Sequence, residues 1–363
     1  MTTVSVIVPA YNHAAFLPRT LESALGQTWQ DREIIVVDDG SRDETPAVAA
    51  RFGQAIRYAR QENQGMARTR NNAIRLASGQ LISFLDDDDL WLPEYLSTVV
   101  ERFAADPDLA ALHTGYRLTS DQEALDYPRC GTRVVPPDRL HSALLEGGFF
   151  PPSSVTVRRS CLENVGVFDE SLQGCADWEL WLRISAAAKF AGIPDVLMKY
   201  RLHAGGLSSN VKHMFDDRLR AISKHCGLDG GPLQSWPEEK RRVVAFAYRS
   251  AAHEYSMQSR PEEAWAHFAQ AAAIWPPLAG RLDTFYELAC GDQPRGYRGT
   301  LEGLNLHQNE QEMLPRLNRL FGEASPELRP WRRRAYGNMY LALAMLYDQS
   351  GEWPQARRHL IQA

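Results

Sequence analysis

The sequence predicts an α/β domain built on a mostly parallel sheet with helices on both faces, followed by an all-helical region. Three observations carry this expectation. Apolar strand-like runs alternate with helix-period patterns through the first half of the chain. Three of those runs end in polar clusters, "PAYN", "DDGS" and "DDDD". Beyond about Trp236, strand signals fade and Ala-rich, aromatic-rich helical patterns take over.

The elements follow in order. Residues 4–8 read as a buried strand, and Leu17, Leu21, Ala24 and Leu25 then recur at helical spacing. Residues 33–37, "EIIVV", form the next strand. Ser41 and Glu44 stand at capping-box spacing and open a helix toward Phe52. Residues 56–60 make a third strand, residues 65–77 a helix carrying Met66, Ala73, Ile74 and Ala77, and residues 81–85 a fourth strand. Pro93 suits the first turn of a helix running to about Phe103, where its missing N–H costs nothing. Residues 155–157 are a further strand. From Asp177 onward, Trp178, Trp181, Leu182 and Ser185 lie at helical spacing, and residues 200–210, "YRLHAGGLSSN", read as a loop after a short strand. Ligands of parallel sheets bind beyond the carboxyl ends of the strands, so the three polar clusters are expected to share one edge.

Composition narrows the function classes. At 363 residues, 44% hydrophobic and 23% charged, the chain has the make-up of a soluble two-domain protein. A net charge of −5 supplies no global basic field for nucleic acid. The N-terminal "MTTVSVIVPAYN" reads as a strand, not a signal peptide, and no apolar stretch approaches the length of a membrane helix. Cys130, Cys161, Cys175, Cys226 and Cys290 are scattered and show no C-x-x-C pairing, which fits a reducing cytoplasm. A basic run, "RPWRRRAY" (residues 329–336), reads as a solvated helix start, leaving at most peripheral contact with the inner face of a membrane.

The helical region repeats itself. "EYSMQSRPEEAWAHFAQA" (254–271) aligns with "LYDQSGEWPQARRHLIQA" (346–363) at an offset of 92, matching Tyr255 to Tyr347, Ala264 to Ala356 and His267 to His359. The pattern looks like the tetratricopeptide class of helical hairpins. The last hairpin has no stacked neighbour and is expected to dock on the first domain, to dimerise or to have been cut from a longer protein, leaving its face to a protein partner or to self-association.

Four adjacent carboxylates, Asp86 to Asp89, repel one another unless a cation or water intervenes. Mg²⁺ and Mn²⁺ favour such oxygens together with substrate phosphates. On extended backbone, Asp86 and Asp88 face one side and Asp87 the other. Asp38 or Asp39 is placed to accept from a base N–H or a ribose hydroxyl. Arg68 and Arg70 have the geometry for phosphate, and Arg75 reads as solvated.

"VSVIVPAYN", "IIVVDDGSRDET", "NQGMARTRNNAI", "LISFLDDDDLWLP" and "DWELWLR" occur in this order at suitable spacing. Jointly they resemble the family 2 glycosyltransferases of the GT-A fold over about residues 1–215. That resemblance implies a GT-A nucleotide-diphosphosugar domain at 1–215, a linker at 216–235 and the helical domain at 236–363. It also implies a metal-dependent, inverting transfer of sugar from a nucleotide donor, UDP-sugar favoured, to a hydroxyl on a glycan, lipid-linked glycan or glycoprotein. Pro9, Ala10 and Tyr11 then line the nucleotide pocket, Asp39 reads the base, and Arg68, Arg70, Asp86 and Asp87 contact the nucleotide. Mn²⁺ or Mg²⁺ falls to Asp88, Asp86 and His203, and Asp177 is the catalytic base, although the family's Glu-Asp pair reads Ala176-Asp177 here. Trp91, Phe149 and Trp178 are the candidates for facing the acceptor sugar, with buried packing the commoner role for such aromatics. The rival reading is an inactive first domain acting with the helices as an interaction scaffold.

Overall fold

Seven consecutive buried residues form β1 (Val4–Ala10), as a strand covered on both faces requires. It pairs in parallel with β2 (Arg32–Asp38), which pairs in parallel with β3 (Arg57–Arg60). On the other side of β1, also parallel, runs β4 (Leu81–Phe84). Helices α1 (Leu17–Leu25), α2 (Thr45–Ala50) and α3 (Met66–Leu76) make the crossovers. Alternate side chains serve opposite faces. Val4, Val6 and Val8 join Leu17, Leu21 and Ala24 in one core, together with Leu96, Val99 and Val100 of α4 (Tyr95–Ala105). Phe84 meets Phe168 and Trp181, with ring centroids at 5.2 and 5.8 Å.

The remaining strands make the sheet mixed. They are β5 (Leu90–Trp91), β6 (Leu109–Ser120), β7 (Asp126–Gly131), β8 (Val155–Arg158) and β9 (Lys189–Leu202), in a sheet ordered β3-β2-β1-β4-β8-β6-β9-β5 with β7 on β6. β8 lies antiparallel to β4 and β6, whereas β9 is parallel to β6. Three further helices complete this part, α5 (Pro137–Leu145), α6 (Arg159–Val165) and α7 (Ala176–Ala187). The strand order reverses at β1, between β2 and β4, and a crevice opens there beyond the carboxyl ends.

The computed structural model describes residues 2–120, 126–131, 133–203, 210–227, 231–290 and 305–363. The chain divides into two units, Met1–Ser209 and Asn210–Ala363. Most of the loop expected at 200–210, residues 204–209, lies outside the described residues. Two local expectations are corrected. Ser41 caps no helix: its hydroxyl accepts from Asn12 N (3.0 Å) and its own N–H goes to Asp38 (2.8 Å), so α2 begins only at Thr45. Pro93 precedes α4, and its carbonyl accepts from Thr28 N (2.9 Å).

The second unit is helical: α8 (Val211–Cys226), α9 (Glu238–Met257), α10 (Pro261–Ile274), α11 (Leu282–Cys290), α12 (Leu306–Gly322), α13 (Arg332–Gln349) and α14 (Trp353–Gln362). α8 fills the first part of the segment expected to be a linker, because the Asn210 side chain caps it by accepting from His213 N (3.1 Å). The α9–α10 and α13–α14 hairpins repeat in detail. Tyr255 meets His267 (centroids 4.9 Å), and the matched Tyr347 meets His359 (5.4 Å). Each first helix ends with the same hydrogen bond, Arg260 N to Tyr255 O (3.0 Å) and Glu352 N to Tyr347 O (2.8 Å). Each turns through a left-handed residue at the same position, Ser259 (φ 56°) and Gly351 (φ 79°). Among the described residues, no helix is long and apolar enough to cross a membrane.

Candidate functional site

The aspartate run is a turn, not extended backbone. Leu85 N still pairs with Ile7 O (2.9 Å), and Asp89 N closes onto Asp86 O (3.1 Å). The carbonyls are tied down as well. Thr20 of α1 gives its hydroxyl to Asp87 O and Asp89 O (2.9 Å each), and Arg201 Nε donates to Asp88 O (2.7 Å).

The turn sends the four carboxylates to four different partners. Asp86 Oδ1 takes Arg70 Nη2 at 2.6 Å. Asp87 accepts from Tyr11 N at 3.0 Å and meets His13 Nδ1 at 2.7 Å. Asp88 Oδ2 lies 2.8 Å from His203 Nε2. Asp89 accepts from Ser153 Oγ (2.5 Å) and Arg201 N (3.0 Å), and is fully buried. Burial pushes the Asp89 carboxyl well above the usual range, with the charges of Asp88 and Asp86 adding to the rise. Burial also raises Asp87, to about 6, against the pull of His13. For His13, burial alone would lower the value, but the hydrogen bond and charge of Asp87 prevail and raise it to about 9.

Asp38 and Asp39 end β2 in the same crevice. Asp38 is spent internally, accepting from Ser41 N (2.8 Å) and Tyr58 OH (2.7 Å). Asp39 staples the 61–65 loop by accepting from Gln61 Nε2 (2.7 Å), Gln64 N (2.9 Å) and Gly65 N (2.9 Å). A carboxylate has about four acceptor positions, so one stays free. Beside this loop is an open cavity of about 530 Å³ lined by Tyr11, Gly40, Arg42, Arg60, Gln61, Glu62 and Asn63. Tyr11 is 37% exposed, whereas Pro9 and Ala10 are buried within β1 and only support it.

Asp177 opens α7 on the other side of Arg70. Burial raises its carboxyl; the Arg70 charge opposes this, and Asp86 adds to it. Arg70 is buried, with its guanidinium over the Phe168 ring (5.4 Å) and its Nε without a hydrogen-bond partner. Arg68 goes elsewhere, pairing with Glu170 (2.6 Å) and Gln64 (2.8 Å) at the surface. The candidate sugar-facing aromatics mostly pack in the core, the commoner of the two roles expected for them. Trp91 stacks on Tyr95 (4.1 Å) and donates to Ser153 O (2.7 Å), and Trp178 is buried and donates to Leu144 O (2.7 Å). Phe149 is half-buried against Phe150 and His113.

One donor set fits a divalent cation. A ring nitrogen of His13, an oxygen of Asp88 and a ring nitrogen of His203 lie within 4.8 Å of one another. Asp86, expected in that set, is held by Arg70 instead. His13 was absent from the sequence-level set. Its signal was a histidine directly after the "PAYN" that ends the first strand.

Residues 5–166 match the family model described as Glycosyl transferase family 2. A Rickettsia conorii protein named as an uncharacterized glycosyltransferase is 33% identical over 58% of this chain, which spans only 36% of that protein's length. Two relatives are covered more fully. An uncharacterized glycosyltransferase of Rickettsia prowazekii is 30% identical over 59% of this chain and 68% of its own. The UDP-Glc:alpha-D-GlcNAc-diphosphoundecaprenol beta-1,3-glucosyltransferase WfaP of Escherichia coli is 31% identical over 58% of this chain and 81% of its own. Among solved structures, S. aureus TarS 1-349 in complex with UDP-GlcNAc has a TM-score of 0.56 at 16% identity, over 92% of this chain and 90% of that one. The mannosyltransferase PcManGT from Pyrobaculum calidifontis, in complex with GDP-Man and Mn2+, has a TM-score of 0.50 at 20% identity, over 88% of each chain. At such identities the structural likeness speaks for the fold alone.

Proposed function

The chain belongs to glycosyltransferase family 2, and from that premise we propose that it transfers a sugar, with inversion, from a nucleoside-diphosphate donor to an acceptor hydroxyl. Its first unit has the mixed α/β, GT-A-like fold of such enzymes. The observation that carries the proposal is the convergence of two strand ends and a helix start: Tyr11 at the end of β1 is tied to the aspartate turn after β4, and Asp177 at the start of α7 shares Arg70 with that turn.

In this reading the base enters the cavity beside Tyr11 and Gln61. Asp39 shapes that pocket by holding the 61–65 loop, and its free acceptor position takes a base N–H. Uracil offers such a donor, and UDP is the favoured carrier. Asp88 and His203 would hold Mn²⁺ or Mg²⁺, which would supply positive charge against the departing diphosphate. Arg70 fixes Asp86 and steadies Asp177 as an anion. Asp177 takes the proton from the acceptor hydroxyl as its oxygen bonds to the anomeric carbon and the bond to the diphosphate breaks. A raised carboxyl is a stronger base than an ordinary one, which suits this role.

The acceptor is a glycan, a lipid-linked glycan or a glycoprotein, and the lipid-linked class draws support from the substrate in the name of the Escherichia coli relative. We read the enzyme as cytoplasmic, at most peripheral to the inner face of the membrane. The repeated hairpins of the second unit are read as tetratricopeptide-like and available to a protein partner or a second copy.

Calorimetric titration of UDP, GDP and dTDP, with and without Mn²⁺, tests the reading. UDP binding that needs the cation and weakens about tenfold or more in Asp88→Ala is expected. Asp177→Asn should bind the donor normally yet fail to turn over. Folded wild-type protein that binds none of the three nucleotides would overturn the proposal in favour of a scaffold.

A further inference from the structure

We propose that His13 is a further protein ligand of the cation, aimed by Asp87, and that the resulting two-imidazole, one-carboxylate set favours Mn²⁺ over Mg²⁺. The inference rests on the cation reading above and extends it to residues on the opposite side of the crevice.

Geometry carries it. His13, Asp88 and His203 each bring a donor atom within 4.8 Å of the others. His13 comes from the end of β1 and His203 from just beyond β9, so two distant segments converge on one carboxylate. The chain reaches this position through Asn12, whose left-handed backbone (φ 54°) turns it out of the strand. Asparagine tolerates that conformation, and its side chain secures it by accepting from Arg42 N (2.7 Å). The ring orientation is then fixed twice. Asp87 Oδ1 holds Nδ1 at 2.7 Å, leaving Nε2 as the nitrogen for a metal. Phe16 packs against both imidazoles, at 5.7 Å from the His13 centroid and 4.9 Å from His203.

A carboxylate on one ring nitrogen and a cation on the other is the usual way a metal-binding histidine is held. Asp87 thereby becomes a positioning residue for His13 rather than a nucleotide contact. The metal preference follows from ligand chemistry. Mg²⁺ keeps oxygen ligands and several waters, whereas Mn²⁺ accepts imidazole more readily.

The test uses the full chain loaded with Mn²⁺ alone, without nucleotide, and reads imidazole nitrogen couplings by pulsed electron paramagnetic resonance. Wild type should show two imidazoles, His13→Gln one and His203→Gln one. Wild type made with ¹⁵N-histidine gives the same count without any substitution, should a variant fail to fold. Mn²⁺ affinity should fall about tenfold or more in Asp87→Asn, as for other residues that orient a metal ligand. The preference for Mn²⁺ over Mg²⁺ should shrink in His13→Gln. One imidazole in wild type, unchanged in His13→Gln, overturns the inference and leaves the cation reading standing. No bound Mn²⁺ in folded wild type overturns both.

Discussion

Titrating the cation-free protein from about pH 6 to about pH 9.5 should cost it stability through a single ion pair. His13 is raised from its ordinary 6.5 to about 9, because Asp87, 2.7 Å away, outweighs the effect of burial. The folded state therefore holds this proton more tightly than the unfolded chain. The stabilisation is fully present below pH 6.5 and disappears as the pH climbs through about 9. At about 1.4 kcal/mol per tenfold change in proton affinity, the pair contributes up to about 3 kcal/mol. The side chains are 22% and 3% exposed, so solvent screens the pair only modestly. Asp87 is itself raised, to about 6, and the stability lost with its proton is gone before this window opens. Asp87→Asn separates the terms: its carboxamide can still accept from Tyr11 N, but His13 loses the charge that held its proton. Urea denaturation in chelator, at half-unit pH steps, should show wild type losing its advantage over Asp87→Asn between about pH 6.5 and 9. Parallel curves across that window would refute the reasoning.

Four other outcomes follow from the same geometry. Asp89 is pushed toward its neutral form by burial, so Asp89→Asn should stay within about 1 kcal/mol of wild type in denaturant, while Asp89→Ala strands Arg201 N and costs about 1–3 kcal/mol. A Cβ at Gly192 would collide with the His113 ring, itself stacked at 4.1 Å against Phe150, so Gly192→Ala should lower the melting temperature by overpacking worth about 1–3 kcal/mol. In the paired turns, Gly351→Ala should destabilise and Ser259→Gly should stabilise, each by about 1 kcal/mol by thermal denaturation, because both positions are left-handed. Removing Arg70 (Arg70→Met) frees Asp177 of the charge that holds it down, and the acidic limb of the kcat/KM profile should move to higher pH.

The parallel half of the sheet was legible because each strand is local and declares itself. Residues 4–10 are buried throughout, and every neighbouring run ends in polar residues that cannot enter the core. The antiparallel half was not. β9 carries Gly192 and Pro194, mixes lysine and arginine among apolar residues, and finds its partner β6 far away in the chain. For Trp91 and Trp178 the sequence offers both a sugar-facing and a buried packing role, and only the fold shows that buried carbonyls of Ser153 and Leu144 receive both indole N–H groups. The alternation expected along Asp86–Asp88 assumed extended backbone, and the Asp89-to-Asp86 hydrogen bond curls it into a turn. His13 could not be placed from sequence, since only the left-handed bend at Asn12 directs it toward Asp88.

The family match ends at residue 166, but Arg201 and His203 reach back to the aspartate turn from the last strand of the first unit. Synthesis runs from the amino terminus, so a nascent chain that has emerged to residue 166 can already pair β1, β2, β3, β4 and β8. It still lacks the His203 imidazole that meets Asp88 and the Arg201 guanidinium that donates to the Asp88 carbonyl. The binding edge is thus finished by almost the last residues of its unit to leave the ribosome. Until then, the growing polypeptide carries an acidic turn that lacks one imidazole of its donor set and the arginine that ties down one of its carbonyls.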